Sequence, residues 1–206
     1  ELANHLIQTI EIFHEKNEAH ENEHSLEVQL PFLQHKLGNN FLLVPIILGT
    51  NNHEDCRQIA EVLKPYFNPE NLFIISTDFS HYPEYDDACK IDYLTAEAIC
   101  SNKPGHILTV LEENKKKQVK NLATSLCGWT SVITLLYLTE KQNFQYEKIE
   151  YLNSGDAKIY GDKQQVVGYW AIACFSEPTG FFLTIEEQTE LIEKARNSIA
   201  HFLKTG

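Results

Sequence analysis

Asp78 and His81 are the residues of this chain best suited to moving a proton. They stand three residues apart in the run STDFSHY (76–82), which directly follows the apolar run NLFII (71–75). A short apolar run predicts a buried strand, and ligands of open α/β sheets bind just beyond the carboxyl ends of such strands. A carboxylate and an imidazole placed there can take and pass on a proton near neutral pH. The alternative is structural: Asp78 caps the following turn and His81 is a satisfied, half-buried histidine.

Two histidines and a glutamate form a second candidate group nearer the start of the chain. His20 and His24 are four residues apart, so a helix would place both imidazoles on one face, as metal binding requires. Glu27, three residues after His24, could orient that histidine through a hydrogen bond. The segment is acidic and polar, however, and two histidines in such a loop are more often simply solvated.

Cys127 is the third candidate, because Cys127-Gly128 stands at the predicted start of a helix. Backbone amides and the helix dipole stabilise a thiolate at such a position, which favours a nucleophile or a metal ligand. Buried cysteine is also a common inert core residue, so that interpretation stays open. A triad of Cys127, His81 and Asp78 would suit a thiol hydrolase, although nothing in the spacing argues for it.

The elements that must position these residues alternate between helix and strand. Apolar spacing and helix breakers predict helices at residues 2–13, 25–33 with a kink or restart at Pro31, 53–66, 86–100, 105–114, 129–139 and from Leu183 onward. The predicted strands are residues 41–48, interrupted by Pro45, then 73–76, 146–152 and 165–175. Strand, helix and strand in succession imply a parallel, right-handed crossover. We therefore expect an α/β fold with a mixed, mostly parallel central sheet flanked by helices.

The composition narrows the classes of function. The chain has 206 residues, of which 43% are hydrophobic, so it can bury a proper core. Its formal net charge is −12, with 17 Lys and Arg against 29 Asp and Glu, which argues against a nucleic-acid partner. No run approaches the roughly 18 apolar residues of a membrane span, and no signal peptide is recognisable. Five widely spaced cysteines without a Cys-x-x-Cys motif predict reduced thiols in a cytoplasmic protein.

Both ends of the sequence suggest a piece of a longer product. The chain contains no methionine and starts at Glu1 within a helical pattern. The run SEPTG (176–180) has linker composition, and Thr184 and Glu187 form a capping-box pattern ahead of one last apolar stripe. That last helix either docks on the main domain or begins a truncated second domain.

Three motifs in this order make the chain resemble the Memo-like proteins, which in prokaryotes are protein B of the AmmeMemoRadiSam system. The motifs are EHSLEVQLPFLQ (23–34), STDFSHY (76–82) and CGW (127–129). The resemblance covers residues 1–176, a Memo-like domain without its N-terminal part. Residues 177–182 would be a linker, and residues 183–206 are similar to the first helix of an AMMECR-type domain, the A component of the same system.

The resemblance implies a fold related to the class III extradiol dioxygenases, which hold non-haem iron with two histidines and one acidic residue. In Memo-like proteins the equivalent metal site has two histidines and a cysteine. Cys127 matches that cysteine, Asp78 and His81 match a pocket pair, and His24 would line the same pocket. The Pro-His-Ala-Gly and Ser-His-His sequences that carry the family's metal-binding histidines do not occur here. We therefore expect iron or copper in the complete protein, and in this chain a partial site with weakened metal binding or none.

Two functions follow from the resemblance. The leading hypothesis is a non-haem metal-dependent redox or dioxygenase-like protein. In it His81 is the acid and base, Asp78 orients His81, Cys127 is a metal thiolate and His24 contacts the substrate. The competing hypothesis is a non-catalytic scaffold whose inherited pocket binds a peptide or small molecule. The resemblance also implies radical-SAM and AMMECR-type partners, and an exposed sheet edge predicts self-association.

Overall fold

The structure, a computed structural model, describes residues 2–9, 11–21, 23–159 and 161–176, together with positions 186, 189, 190 and 193. The chain divides into two compact units, Glu1–Phe175 and Ser176–Gly206. The predicted linker lies outside the described residues, as does most of the predicted last helix. The four described positions of that helix are helical. Its assignment to a truncated AMMECR-type domain stays a prediction.

Helices make up most of the regular structure in the first unit. Its α-helices are α1 (Leu2–Thr9), α2 (Glu18–Glu21), α3 (Leu30–Leu37), α4 (His53–Leu63), α5 (Tyr85–Cys100), α6 (Pro104–Lys116) and α7 (Trp129–Thr139). Short 3₁₀ helices span Glu27–Gln29, Lys64–Tyr66 and Ser154–Asp156. Pro31 lies in the first turn of α3, where a missing amide hydrogen costs nothing, so the predicted restart at this proline is confirmed. Among the described residues, no helix has the length and apolar content needed to cross a bilayer.

The core forms where α4 packs against α7. α4 begins where the Asn52 side chain accepts a hydrogen bond from the Glu54 amide at 3.1 Å, which satisfies one free donor of the first turn. The helix then buries one stripe, made of Cys56, Ile59, Ala60 and Leu63. α7 is buried along most of its length, including Ile133 and Leu136. This packing fixes the start of α7 at Trp129, two residues after Cys127.

Two strands near the end of the first unit form a small antiparallel sheet. They are β1 (Phe144–Asn153) and β2 (Gly168–Ser176), and both were predicted from the sequence. The turn after β1 is closed by a reciprocal cap. The Asn153 side chain accepts from the Gly155 amide at 2.9 Å, and the Asp156 carboxylate accepts from the Asn153 amide at 2.9 Å. α5 packs against β1 and α6.

The strand predictions for residues 41–48 and 73–76 are wrong. Both segments are described, and neither is assigned to a strand or a helix. Leu42 is fully exposed and Ile74 is 41% exposed, so these segments are not covered on both faces. An apolar run shows only that a segment can be extended and buried, whereas a strand also needs a neighbouring chain for its hydrogen bonds. The described residues therefore form a mixed helix-and-strand fold without the mostly parallel central sheet that we expected, and the dioxygenase relation stays a prediction.

Candidate functional site

Asp78, His81 and Cys127 come together in the structure. A carboxylate oxygen, an imidazole nitrogen and the thiol sulfur of these residues all lie within 4.8 Å of one another. Asp78 Oδ2 and His81 Nε2 are 3.4 Å apart. The three residues belong to two loops that are distant in the sequence. One of these loops, residues 78–82, is called the site segment below.

The backbone of the site segment is held from two sides. On one side, Gly168 at the start of β2 accepts from the Phe79 amide at 2.9 Å and donates to the Ser80 carbonyl at 2.9 Å. On the other side, the His81 amide donates to the Thr124 carbonyl at 3.0 Å. These bonds hold the segment at the edge of the small sheet, so its side chains project from a fixed backbone.

Tyr82 closes the site segment with an unusual backbone conformation. Its φ angle is 71°, in the left-handed region that a tyrosine seldom adopts. The Tyr82 amide donates to the Val166 carbonyl at 2.7 Å, which holds the turn in place. The chain leaves this turn toward α5, and the Tyr82 ring lies 5.5 Å from the His81 ring, centroid to centroid.

Cys127 is joined to the site segment through both its backbone and its side chain. The Cys127 amide donates to the Asp78 carbonyl at 3.2 Å, and the Asp78 amide donates to Cys127 Sγ at 3.3 Å. Thr77 Oγ1 lies 3.5 Å from the same sulfur and accepts from the Gly128 amide at 2.8 Å. The thiol is exposed, so Cys127 is not the inert core cysteine of the alternative interpretation.

A glycine is required directly after Cys127. A Cβ atom at position 128 would lie 2.7 Å from Thr77 Oγ1 and 2.8 Å from Thr77 Cβ. Any larger residue would therefore push the two loops apart. Gly128 allows the start of α7 to approach Thr77 closely enough for the sulfur to reach Asp78 and His81.

The His81 ring combines burial with an unsatisfied nitrogen. Its side chain is 23% exposed, and Nε2 is buried without a hydrogen-bond partner among the described residues. Asp78 Oδ2, at 3.4 Å, is close enough for an ion pair with a protonated imidazole but does not form a hydrogen bond. A buried polar atom without a partner is costly, and such exceptions call for an explanation. A nitrogen beside a carboxylate and a thiol fits a metal-binding imidazole.

His24 is not one of the three grouped residues, and its expected contact with the substrate stays a prediction. Its side chain is 75% exposed, and its Nδ1 pairs with Glu27 Oε2 at 3.0 Å, the contact predicted from their spacing. His20 lies on α2, which ends at Glu21, so the two histidines do not share a helix. The first motif reaches the second by another contact, from Gln29 Nε2 to Ser76 Oγ at 3.0 Å.

A groove of about 380 Å³ adjoins the group. Its walls come from the first motif, the segment before Asp78, β1 and β2, and the lining residues are Gln29, Ile75, Ser76, Thr77, Ile149 and residues 170–173. Thr77 links the groove to the group of Asp78, His81 and Cys127, because its hydroxyl also lies 3.5 Å from Cys127 Sγ. The lining combines apolar side chains with an amide and two hydroxyls and contains no charged residue.

Two further residues near the group were missed from the sequence. Tyr169 follows Gly168 on β2, and burial together with the negative charge of Asp78 raises the pKa of its phenol. Asp92 on α5 is fully buried below the site segment, and burial raises the pKa of its carboxyl to about 6. The burial of Asp92 could have been predicted from the sequence. Asp92 shares one helix face with Ala88, Ile91 and Thr95, and that spacing predicts a buried position.

Comparison with known proteins identifies relatives over most of the chain. A family model described as Memo-like protein matches residues 1–173. A MEMO1 family protein of Thermoplasma acidophilum is 35% identical over 152 residues, which are 74% of this chain and 53% of the relative. MEMO1 family proteins of Methanopyrus kandleri and Thermoplasma volcanium are 31% and 33% identical over 84% of this chain, covering 59% and 61% of their own lengths. The chain thus spans somewhat more than half the length of these relatives.

Proposed function

Because the chain belongs to the Memo-like protein family, as its three motifs predicted, we propose that it contributes to a non-haem metal site with redox or dioxygenase-like activity. The observation that carries the proposal is the approach of the ligand-type atoms of Asp78, His81 and Cys127 to within 4.8 Å of one another. Carboxylate, imidazole and thiolate together suit transition metals of intermediate softness. We propose iron or copper as the metal of the complete protein.

Each of the three residues has a role that its surroundings support. Cys127 would hold the metal as a thiolate, since its sulfur is exposed and already accepts a backbone amide hydrogen. With the metal bound, His81 Nε2 and Asp78 Oδ2, which lie 3.4 Å apart, would be its other two ligands. The proton transfer expected of His81 from the sequence would then belong to the metal-free state, because a coordinated nitrogen cannot accept a proton. When bound, the metal would supply Lewis-acid and redox chemistry.

The spacing of the ligand atoms supports the fit. A metal bonded at about 2.0–2.3 Å holds its ligand atoms roughly 3–4 Å apart. The distance of 3.4 Å between Asp78 Oδ2 and His81 Nε2 falls in that range, and the limit of 4.8 Å that includes the sulfur is only slightly wider. Small side-chain rotations would bring all three ligand atoms within bonding distance of one metal ion. The chain spans 53–61% of its relatives' lengths. Statements about the substrate and the full set of metal ligands of the complete protein are therefore proposals too.

Metal titration of this chain tests the proposal. The structure groups three ligand-type atoms where the sequence predicted only Cys127 as a ligand, so we expect one equivalent of Co²⁺ or Cu²⁺ to bind instead of little or none. We expect Cys127→Ser or Asp78→Asn to weaken that binding at least tenfold, because affinity depends on several ligands fixed together. Cys174→Ser is the matched control, since Cys174 is a half-buried free thiol outside the group. Elemental analysis after gel filtration provides the stoichiometry. Equal binding by wild type and Cys127→Ser would contradict the proposal.

The groove supports a second candidate function, a ligand-binding scaffold without catalysis. Its volume of about 380 Å³ lies within the range of roughly 300–1,000 Å³ that is usual for small-molecule pockets. Its mixture of apolar walls and neutral polar groups suits an uncharged ligand or a short peptide. A protein that holds no metal in the titration above, yet binds such a ligand, would favour the scaffold.

A further inference from the structure

We infer that Asp92 is a positioning residue for the group of Asp78, His81 and Cys127, an inference that rests on the proposed metal site. Asp92 lies on α5 and is fully buried. Its Oδ1 accepts from the Ser80 amide at 2.9 Å. Its Oδ2 accepts from the Ser80 hydroxyl at 3.0 Å and from the Tyr151 hydroxyl at 2.8 Å. The carboxylate thus joins the helix, the sheet and the site segment.

The bond to the Ser80 amide stabilises an irregular part of the backbone. His81 pairs with Val167 in an antiparallel bridge, which places Ser80 opposite Gly168. The Phe79 amide also donates to the Gly168 carbonyl, so two residues of the site segment oppose one residue of β2. This is the arrangement of a β-bulge, in which an extra residue disturbs the ladder and redirects the side chains beside it. Asp92 accepts the amide hydrogen of Ser80 in place of a backbone carbonyl.

Gly168 makes this contact sterically feasible. A Cβ atom at position 168 would lie 1.7 Å from Asp92 Oδ2 and 2.7 Å from Asp92 Cγ. Because these positions overlap, the carboxylate can reach the bulge only if residue 168 has no side chain. A buried acid on the helix and a glycine on the strand therefore serve the same contact.

The bulge lies between the two site residues of the segment. Asp78 and His81 flank Phe79 and Ser80, so the orientation of these two peptide groups sets the separation of Asp78 Oδ2 and His81 Nε2. Within the described part of the chain, Asp92 forms no hydrogen bond or ion pair with either of those atoms. It acts through Ser80. Loss of such outer partners commonly weakens metal binding by about 10–100-fold.

The test measures Co²⁺ affinity and hydrogen exchange in the same set of variants. We expect Asp92→Ala, which removes the acceptor of the Ser80 amide, to weaken Co²⁺ binding at least tenfold and to speed exchange of that amide in the metal-free protein. Asp92→Asn keeps an oxygen that can accept the same hydrogen, so we expect it to retain most of the affinity and of the protection. Asp87→Ala is the matched control, because Asp87 lies on the same helix but pairs with Lys90 at the surface. We expect this control to bind Co²⁺ like wild type.

A second variant covers the case in which Asp92→Ala does not fold. Ser80→Ala removes the hydroxyl bond to Asp92 and keeps the amide bond, so we expect a smaller loss of Co²⁺ affinity, about threefold or more. Wild-type affinity in folded Asp92→Ala, or in Ser80→Ala if Asp92→Ala does not fold, would overturn the inference and leave the metal site standing. A wild-type chain that binds no Co²⁺ would overturn the proposed function instead.

Discussion

The thiol of Cys127 owes its position to the residues on either side of it. Its sulfur is reached by the Asp78 amide and the Thr77 hydroxyl, and these contacts exist because Gly128 lets two loops approach. At the scale of single residues, the site therefore depends as much on the small size of a glycine as on the reactive groups of its neighbours. Gly128 and Gly168 have this role at opposite sides of the site segment.

Substitution of Gly128 tests this dependence. Gly128→Ala would place a Cβ atom 2.7 Å from Thr77 Oγ1, so we expect the free energy of unfolding to fall by about 1–3 kcal/mol, as for other overpacked sites. Denaturant titration measures the change. Gly105→Ala is the control, because a Cβ atom there meets nothing within 4 Å. We expect it to be neutral or to stabilise by up to about 1 kcal/mol. Equal stability of the two variants would contradict the close approach of the loops.

Among the elements, α5 carries an acid at a position where charge is costly. Asp92 is fully buried, and its pKa of about 6 in the folded protein exceeds the ordinary value of 3.8. At pH values between about 3.8 and 6 the folded state therefore binds more protons than the unfolded state. The resulting stabilisation is present below about pH 4 and is lost as the pH rises through 6. An asparagine would avoid this loss but would offer one acceptor oxygen where Asp92 uses two, so the acid is explained better by its contacts with Ser80 and Tyr151 than by stability.

The pH dependence of unfolding tests how much stability is lost when Asp92 ionises in the folded protein. Between pH 4 and pH 7.5 we expect the free energy of unfolding of wild type to fall by about 2–3 kcal/mol relative to Asp92→Asn, at about 1.4 kcal/mol per pKa unit. Urea titrations of both proteins across this range measure the difference. Parallel profiles for the two proteins would show that Asp92 does not titrate in this range in the folded state.

The elements also show which features can be predicted from sequence. α4 and α7 follow from apolar spacing within one segment, and Asn52 is a local cap. Residues 41–48 and 73–76 have the composition of strands, but pairing depends on neighbours elsewhere in the chain. Asp78, His81 and Cys127 were predicted from their motifs. Asp92 was missed because its role depends on Gly168, and no local pattern joins positions 92 and 168.

In the molecule as a whole, two segments outside the helices and strands leave large apolar side chains in solvent. Residues 41–48 and 71–76 contain four such side chains, Leu42, Leu43, Leu72 and Ile74. Neither segment is assigned to a strand, although both lie within the described part of the chain. Exposed apolar residues on unpaired backbone favour association with another chain.

Sedimentation velocity over a wide concentration range tests this tendency. We expect dimers or larger species at high concentration, and at least a tenfold weaker association for Leu42→Asp combined with Leu72→Asp, because charges on an extended edge oppose pairing. Ile159→Asp is the control, since Ile159 is also exposed but lies outside both segments. A wild-type protein that stays monomeric throughout would contradict the prediction.

The contact between Asp92 and Gly168 has a consequence for the history of the family. Neither residue can change alone: an alanine at position 168 would collide with the carboxylate, and loss of the carboxylate would leave the Ser80 amide without its acceptor. Relatives should therefore inherit the acid and the glycine as a pair. Where one has been replaced during evolution, the other should have been replaced in the same lineage.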